Sequence, residues 1–439
     1  MYVGTFEIDN IKMMFYLEEY ELLISGTEGK QIGWSKLKAI ISNGWIQLED
    51  YSGNIIYGCI QDVEYLNLYE YKLFLQFYLI DYYRGDKQHT FEFDHIWIKS
   101  DCLDYFFRNN DVYKNDITRL MNSWNGEESY GVKLERNAVE VNVFNTKILI
   151  RFKTMMQGSN KPFPYDIRNV MEIEIEKTSD VELLANLLQM VKTFFGFIAV
   201  SQKVDIVNPI VIGCGDDINA YTMMVYMKPD NAEYINPNRC LTYEDTENGL
   251  SELFTMICND EICFRSLFPS NINMITYADI MNICAAFELQ FKTSVKKNYR
   301  YKEQDKVKKK MIKIIEESRE TLFSDEEKIY FDEIFAGMKN VTETLKKRID
   351  IVQNDFLEIY GEQNVKFDFE DDYINMPERI KNSRNALDHG NVSYRFENIM
   401  YRDAELLRAM VYMLILKSAG ISEKSKLFNS IKKLSKYPI

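Results

Sequence analysis

The sequence predicts an α+β protein, with a β-rich region over 1–269 and an all-helical region over 270–439. Three observations carry this. All four tryptophans (Trp34, Trp45, Trp97, Trp124) precede position 125. No proline occurs between Pro269 and Pro377, and proline breaks helix interiors. The apolar pattern also changes near Pro269, from short alternating runs to three- and four-residue spacing.

The first region holds YELLISG, GWIQLED, YKLFLQFYLIDYY, AVEVNVFNTKILIRF and VMEIEIEK, each rich in β-branched and aromatic residues and read as strands. Val181–Ile198 has helical spacing, and strands resume at IVNPIVIG and YTMMVYMK. The pattern fits a β-sandwich or open barrel with one or two helices, divisible near Asn122–Glu128. A transitional helix over Leu250–Leu267 leads to the boundary at Pro269. Beyond it the period predicts helices near 274–298, 303–320, 325–338, 340–360, 376–389, 399–419 and 424–436. Ala409–Leu416 is apolar all round, which marks its helix as the buried centre of the bundle.

Composition excludes several classes. At 46% hydrophobic and 27% charged residues the chain is globular rather than disordered. No uninterrupted run of 18 apolar residues and no secretory leader is seen, so no membrane span and a cytoplasmic location are expected. Seven scattered cysteines, an odd number, fit a reducing compartment; without a CxxC pair and with three histidines, zinc binding is not expected. The net charge of −14 argues against non-specific coating of nucleic acid. That charge is uneven: 24 basic and 40 acidic residues precede Asn271, against 29 and 27 from Asn271 onward. A phosphate-handling site is electrostatically easier to place in the second part.

No GxxxxGK[ST] loop and no HExxH are present, and GCG at 213–215 reads as a turn. His89 and His95 sit in QHTFEFDHIWI, where Phe91, Phe93, His95 and Trp97 would share one strand face, so these histidines read as core or rim residues. The third histidine differs. In NMPERIKNSRNALDHGN (375–391), Asn375 can cap a helix, Pro377 suits its first turn, Glu378 can close a capping box and Gly390 supplies a left-handed stop. At ~100° per residue Met376, Ile380 and Leu387 form a core stripe, Arg384 lies ~60° off it, and Asn385, Asp388 and His389 continue on the polar side. Such residues serve either a solvated helix end, with Arg384 paired to Asp388 and His389 on the helix dipole, or a phosphate flanked by a guanidinium and an imidazole.

The stretch Arg384-Asn385-Ala386-Leu387-Asp388-His389 resembles the R-x(4–6)-H signature of HEPN-domain ribonucleases, late in a helical domain and followed by a long apolar helix. A large β-rich region before such a domain resembles the layout of ApeA-type antiphage abortive-infection proteins. The resemblance implies endonucleolytic RNA cleavage without metal or other cofactor, with tRNA a candidate substrate. It implies Arg384, His389 and Asn385 as catalytic residues, with Asp388 in support. Glu288 is a further supporting candidate, or else a helix-surface glutamate. It also implies at least a homodimer, because motif helices of two protomers face each other in the family, and a phage-derived trigger sensed by the N-terminal region. The motif has no surrounding carboxylate cluster suited to Mg²⁺. The alternative is a HEPN-like module that binds RNA or nucleotide, or dimerises, without turnover and regulates another effector.

A basic run, Lys296, Lys297, Arg300, Lys302, Lys306, Lys308, Lys309, Lys310 and Lys313, encloses Tyr299 and Tyr301. It reads as a solvated helical face or as an RNA-backbone track, with Lys296, Lys297, Arg300, Lys308, Lys309 and Lys310 as the candidate contacts.

Overall fold

The computed structural model describes residues 1–8, 11–27, 44–67, 69–82, 91–107, 134–135, 138–158, 165–213, 221–229, 235–267, 276–295, 302–339, 344–388 and 398–435. His89, the division expected near 122–128 and the boundary at Pro269 lie outside the described residues. The chain forms two compact units, Met1–Asn259 and Asp260–Ile439. The break thus falls within the expected transitional helix. Leu250–Cys258 belongs to the first unit, while Phe264–Leu267 is a separate helical turn of the second.

In the first unit β1 (Tyr2–Ile8), β2 (Ile11–Glu18), β3 (Glu21–Gly26), β4 (Trp45–Glu49), β5 (Ile55–Asn67) and β6 (Glu70–Asp81) pair antiparallel in the order β1-β2-β3-β6-β5-β4. An antiparallel bridge from Gly4 to Asp50 returns the set to β1. A side chain at Gly4 would stand 2.3 Å from the Glu49 carbonyl and 2.6 Å from the Phe15 ring, so this closure needs glycine. Alternate residues point inward, as strand geometry requires: Met13, Phe15 and Leu17; Leu22 and Ile24; Ile46 and Leu48. The barrel-like reading therefore holds for these six strands.

The second half of β6 hands the sheet on to β13 (Tyr221–Met227), β12 (Val207–Gly213), β7 (Phe93–Lys99), β11 (Tyr165–Thr178) and β10 (Thr146–Gly158), with β8 (Leu134–Glu135) and β9 (Val139–Val143) on the far edge. AVEVNVFNTKILIRF is a hairpin, turning at Phe144 and Asn145, both at positive φ (51° and 60°). One face packs under α1 (Asp101–Phe106), α2 (Val181–Ala199) and α3 (Leu250–Cys258) through a chain of rings: Phe152–Phe106 at 5.3 Å, Phe106–Phe194 at 5.4 Å and Phe194–Phe254 at 4.5 Å. By length and composition α2 could cross a membrane, contrary to the expectation from uninterrupted apolar runs. Here it buries Leu184, Leu187, Val191, Phe194 and Phe195 in the core.

The opposite face of β7, β11 and β10 is polar. Glu172 accepts from Trp97 Nε1 at 2.9 Å and pairs with Lys153 and Arg151. His95 is half-buried beside Asp94, Nδ1 to Oδ1 2.7 Å. The shared face expected for Phe93, His95 and Trp97 is corrected: a register shift between β11 and β7 puts Phe93 inward with Ile96 and Ile98, while Trp97 turns to Glu172.

The second unit is helical: α4 (Tyr277–Gln290), α5 (Lys302–Leu322), α6 (Asp325–Lys339), α7 (Leu345–Tyr360), α8 (Glu362–Asp368), α9 (Met376–Asp388), α10 (Asn398–Ser418) and α11 (Lys424–Ser435). In α10 every residue from Ala409 to Leu416 is buried, as the all-round apolar run requires, with Arg408 buried just before it, and α4, α7, α9 and α11 pack on the helix. The short α8 was not anticipated.

Burial pushes the Glu172 carboxyl up, but hydrogen bonds from Lys153 and Trp97 outweigh it and hold it below its usual range. A depressed carboxylate contributes stability that is present above the unfolded value and lost as pH falls through the folded one. Glu172→Gln should therefore destabilise the first unit at about pH 7 and much less at about pH 3. Tryptophan fluorescence during denaturation reports on it, since all tryptophans lie in that unit; an equal loss at both pH values would refute the assignment.

Candidate functional site

α4 begins at a capping box. Thr276 Oγ1 accepts from the Asp279 amide at 3.3 Å, and the Thr276 amide donates to Asp279 Oδ2 at 2.7 Å. This start fixes the azimuth of Cys284 and Glu288, one turn apart. Past Gln290 the helix widens into a π turn over Phe291–Val295. Against it lies Arg348 of α7, whose Cζ is 5.8 Å from the Phe291 ring centroid and whose Nη1 is 3.4 Å from Glu288 Oε1.

α9 carries the motif, and its position is set by another arginine. Arg379 directs both arms of its guanidinium to Asp403 of α10, with Nε–Oδ2 and Nη2–Oδ1 each 2.7 Å, and also reaches Asp372 at 2.6 Å. Asp403 is fully buried. Burial pushes its carboxyl above the usual range, opposed by the Arg379 guanidinium. On the same side Met376, Ile380 and Ser383 are buried, and Ser383 Oγ donates to the Arg379 carbonyl at 2.8 Å and lies 3.6 Å from Met400 Sδ. The expected stripe is thus corrected: Ser383 occupies the third position and Leu387 is only half-buried. A small side chain there lets α10 come close. Asn375 Nδ2 donates to Asp372, and Glu378, expected to close a capping box, turns to Lys381 and Lys346.

Arg384 is five residues beyond Arg379, ~140° further round. It is half-exposed, with Nε 3.1 Å from Asp388 Oδ2. Asn385 is exposed beside it. α4 lies next to this pair: Glu288, Arg384 and Asp388 all act electrostatically on the Cys284 thiol, which burial, as the dominant cause, pushes up to about 12. Cys284 is therefore an uncharged packing residue, not a nucleophile. The structure brings together Arg384, Asp388 and Glu288, and adds Arg348. Sequence reasoning missed Arg348, although its place beside Leu345, Ile349 and Val352 on the buried stripe of α7 was a readable signal.

His389, Lys296, Lys297 and Arg300 lie outside the described residues. Lys308, Lys309 and Lys310 are on α5, Lys309 and Lys310 exposed and Lys308 half-buried. Among the described residues no group of three His, Cys, Asp or Glu side chains could hold a metal ion. The six described cysteines are thiols.

Residues 281–425 match the family model for Apea-like HEPN. This segment is an Apea-like HEPN domain. It contains Glu288, Arg348, Arg384, Asp388 and His389, and it takes in the central helix and both helices packed on the motif. HEPN domains are generally ribonucleases, and the Apea-like type is an effector generally tied to defence. No curated protein and no solved structure matches the chain.

Two arginines on one helix of the HEPN domain should behave oppositely. Arg379→Ala leaves a buried carboxylate without its partner and should cost about 3–5 kcal/mol. Arg384→Ala breaks a half-exposed ion pair and should cost less than about 1 kcal/mol. Denaturation followed by the helical circular dichroism signal measures both; equal losses would show that Arg384 also holds the fold.

Proposed function

We propose that the HEPN domain is a metal-independent endoribonuclease of antiphage abortive infection, controlled by the N-terminal region. The observation that carries this reading is Arg384. In an Apea-like HEPN domain it stands at the surface of a helix whose other face is fixed by the Arg379–Asp403 pair. RNA brings its own nucleophile, the 2′-OH. His389 follows the last described residue of α9 and is the group suited to take that proton near neutral pH. Arg384 stabilises charge on the phosphoryl oxygens, exchanging Asp388 for the phosphate. Asn385 donates to the phosphate or the imidazole. Glu288 holds Arg348 beside the site, where a second guanidinium favours an anionic substrate. The motif helices of two protomers complete a composite site.

On α5, Lys306, Lys309 and Lys313 follow one line of the helix at four- and three-residue spacing and are exposed. They form the RNA-backbone track, and Lys308 and Lys310 flank it. tRNA is the candidate substrate, a phage-derived component the trigger, and the cytoplasm the site of action. The second reading, a HEPN module that binds or dimerises without turnover, is favoured by the Arg384–Asp388 pair, which a solvated helix end would also show.

With purified protein, Arg384→Ala and His389→Ala should each lower RNA cleavage by at least about 100-fold, and Asp388→Ala should do so less. Products should end in a 2′,3′-cyclic phosphate and a 5′-hydroxyl, form in the presence of EDTA, and fail to form from DNA. Wild-type cleavage by a folded His389→Ala protein, or 5′-phosphate products, would overturn the mechanism. Reversing Lys306, Lys309 and Lys313 to Glu should weaken RNA binding and flatten its salt dependence by about one counterion per lost contact. An unchanged slope would remove the track.

A further inference from the structure

At one end of the six-strand set, β6 changes partners. Along β6 the last pair with β3 is Phe74 with Glu21, and the first with β13 is Phe77 with Met227. Tyrosines close this junction. Tyr20, in the turn between β2 and β3, donates from its hydroxyl to the Met227 carbonyl at 2.6 Å. Tyr226 of β13 stacks on Tyr78 of β6 with centroids 5.0 Å apart, on top of the strand core. Single exposed aromatic residues need no explanation. Here, however, three hydroxyls meet instead of spreading into water: Tyr2 to Tyr82 at 3.4 Å and Tyr82 to Tyr226 at 3.2 Å. Tyr82 is 47% exposed, and Tyr2 and Tyr226 are half-buried, so the cluster is open to solvent on one side.

The charges around this cluster say what it can hold. Those acting on it are carboxylates: Glu19 on Tyr20 and Tyr78, and Asp50 on Tyr2. Glu19 is exposed in the β2–β3 turn, whereas Asp50 is held by the Ser52 and Asn54 amides. Lys228, next to Met227, is turned to the Phe74 ring, with Nζ 5.9 Å from its centroid. The hydrogen bond with Tyr82, then burial, pushes the Tyr226 hydroxyl up to about 12, and burial does the same for Tyr78. The phenols therefore stay neutral near pH 7 and keep lone pairs for a donor. An anion would meet the carboxylates. An ammonium group suits the cluster: its three N–H donors match three phenol oxygens, and the aromatic rings and Glu19 both favour its charge. The cluster is an open surface, so a free amine would keep much of its water there, whereas a chain adds contacts on either side. We propose that this tyrosine cluster is the docking site for a lysine side chain on a basic polypeptide segment of another protein. The 40 acidic against 24 basic residues before Asn271 draw such a segment toward the first unit. The proposal is independent of RNA cleavage by the second unit.

Fluorescence anisotropy of a short labelled peptide of lysine, glycine and serine, titrated with the full chain, tests this. Binding should saturate, and acetylation of the peptide's lysines should abolish it. Tyr226→Phe keeps the stack on Tyr78 and removes one hydroxyl, and Tyr82→Ala removes an exposed ring. Both should stay folded by circular dichroism and weaken binding at least about tenfold, the size of a hydrogen bond to a charged group. Glu252, exposed on α3, provides a control of equal charge. Glu19→Lys should weaken binding at least about tenfold, and Glu252→Lys by less than about twofold. Equal losses in these two would mean attraction to net charge alone and overturn the proposal. So would unchanged affinity in both tyrosine variants, competition by an oligodeoxythymidylate, or spermidine binding as tightly as the peptide.

Discussion

Arg379 and Asp403 tie the motif helix to the most buried helix of the second unit, and the candidate site is arranged around that tie. Asp403 is fully buried, and it is tolerable there because a planar guanidinium meets both of its oxygens. The pair fixes the rotation of α9 about its own axis as well as its distance from α10. Once Arg379 points inward, helix geometry alone turns Arg384 and Asp388 toward α4 and solvent. The buried Ser383 adds the close approach of α10, and the Thr276 capping box sets the facing rotation of α4.

The charges at the site alternate: Arg348 with Glu288, Arg384 with Asp388. Each guanidinium has a carboxylate partner, so neither depends on a ligand to be stable in the resting protein. The Arg384–Asp388 pair is exposed enough for a phosphate to compete, whereas Arg348 and Arg379 are both largely buried and the Asp403 partner of Arg379 is inaccessible. This separates Arg379, held on a buried carboxylate, from Arg384, whose half-exposed partner can be exchanged. The neutral Cys284 thiol between the helices fills space without adding charge.

The two units solve different problems. The first closes six strands with one glycine-dependent bridge and covers the following sheet with a helix apolar enough for a membrane yet buried in a core. Its polar sheet face is stabilised by Glu172, which gathers Trp97, Lys153 and Arg151. The second unit packs around a central helix whose Ala409–Leu416 run is apolar all round and which buries Asp403 and Arg408 earlier along its length.

Local pattern was enough to determine the fold class, the long helices of the second unit and the buried centre of its bundle, because period, proline placement and side-chain polarity act over a few residues. The strand period also showed that the first unit is β-rich. It could not show that AVEVNVFNTKILIRF turns back at Phe144 and Asn145, or that a register shift separates Phe93 from Trp97. Those depend on pairing between strands far apart in sequence. Ser383 is polar and so escaped the apolar core stripe, and Arg348 could be read only as a cation beside the buried stripe of α7, with no sign of which helix it would meet. Only the packing of α7 and α9 on α4 and α10 gives these two residues their roles, because a helix alone does not specify which neighbour each of its faces will meet.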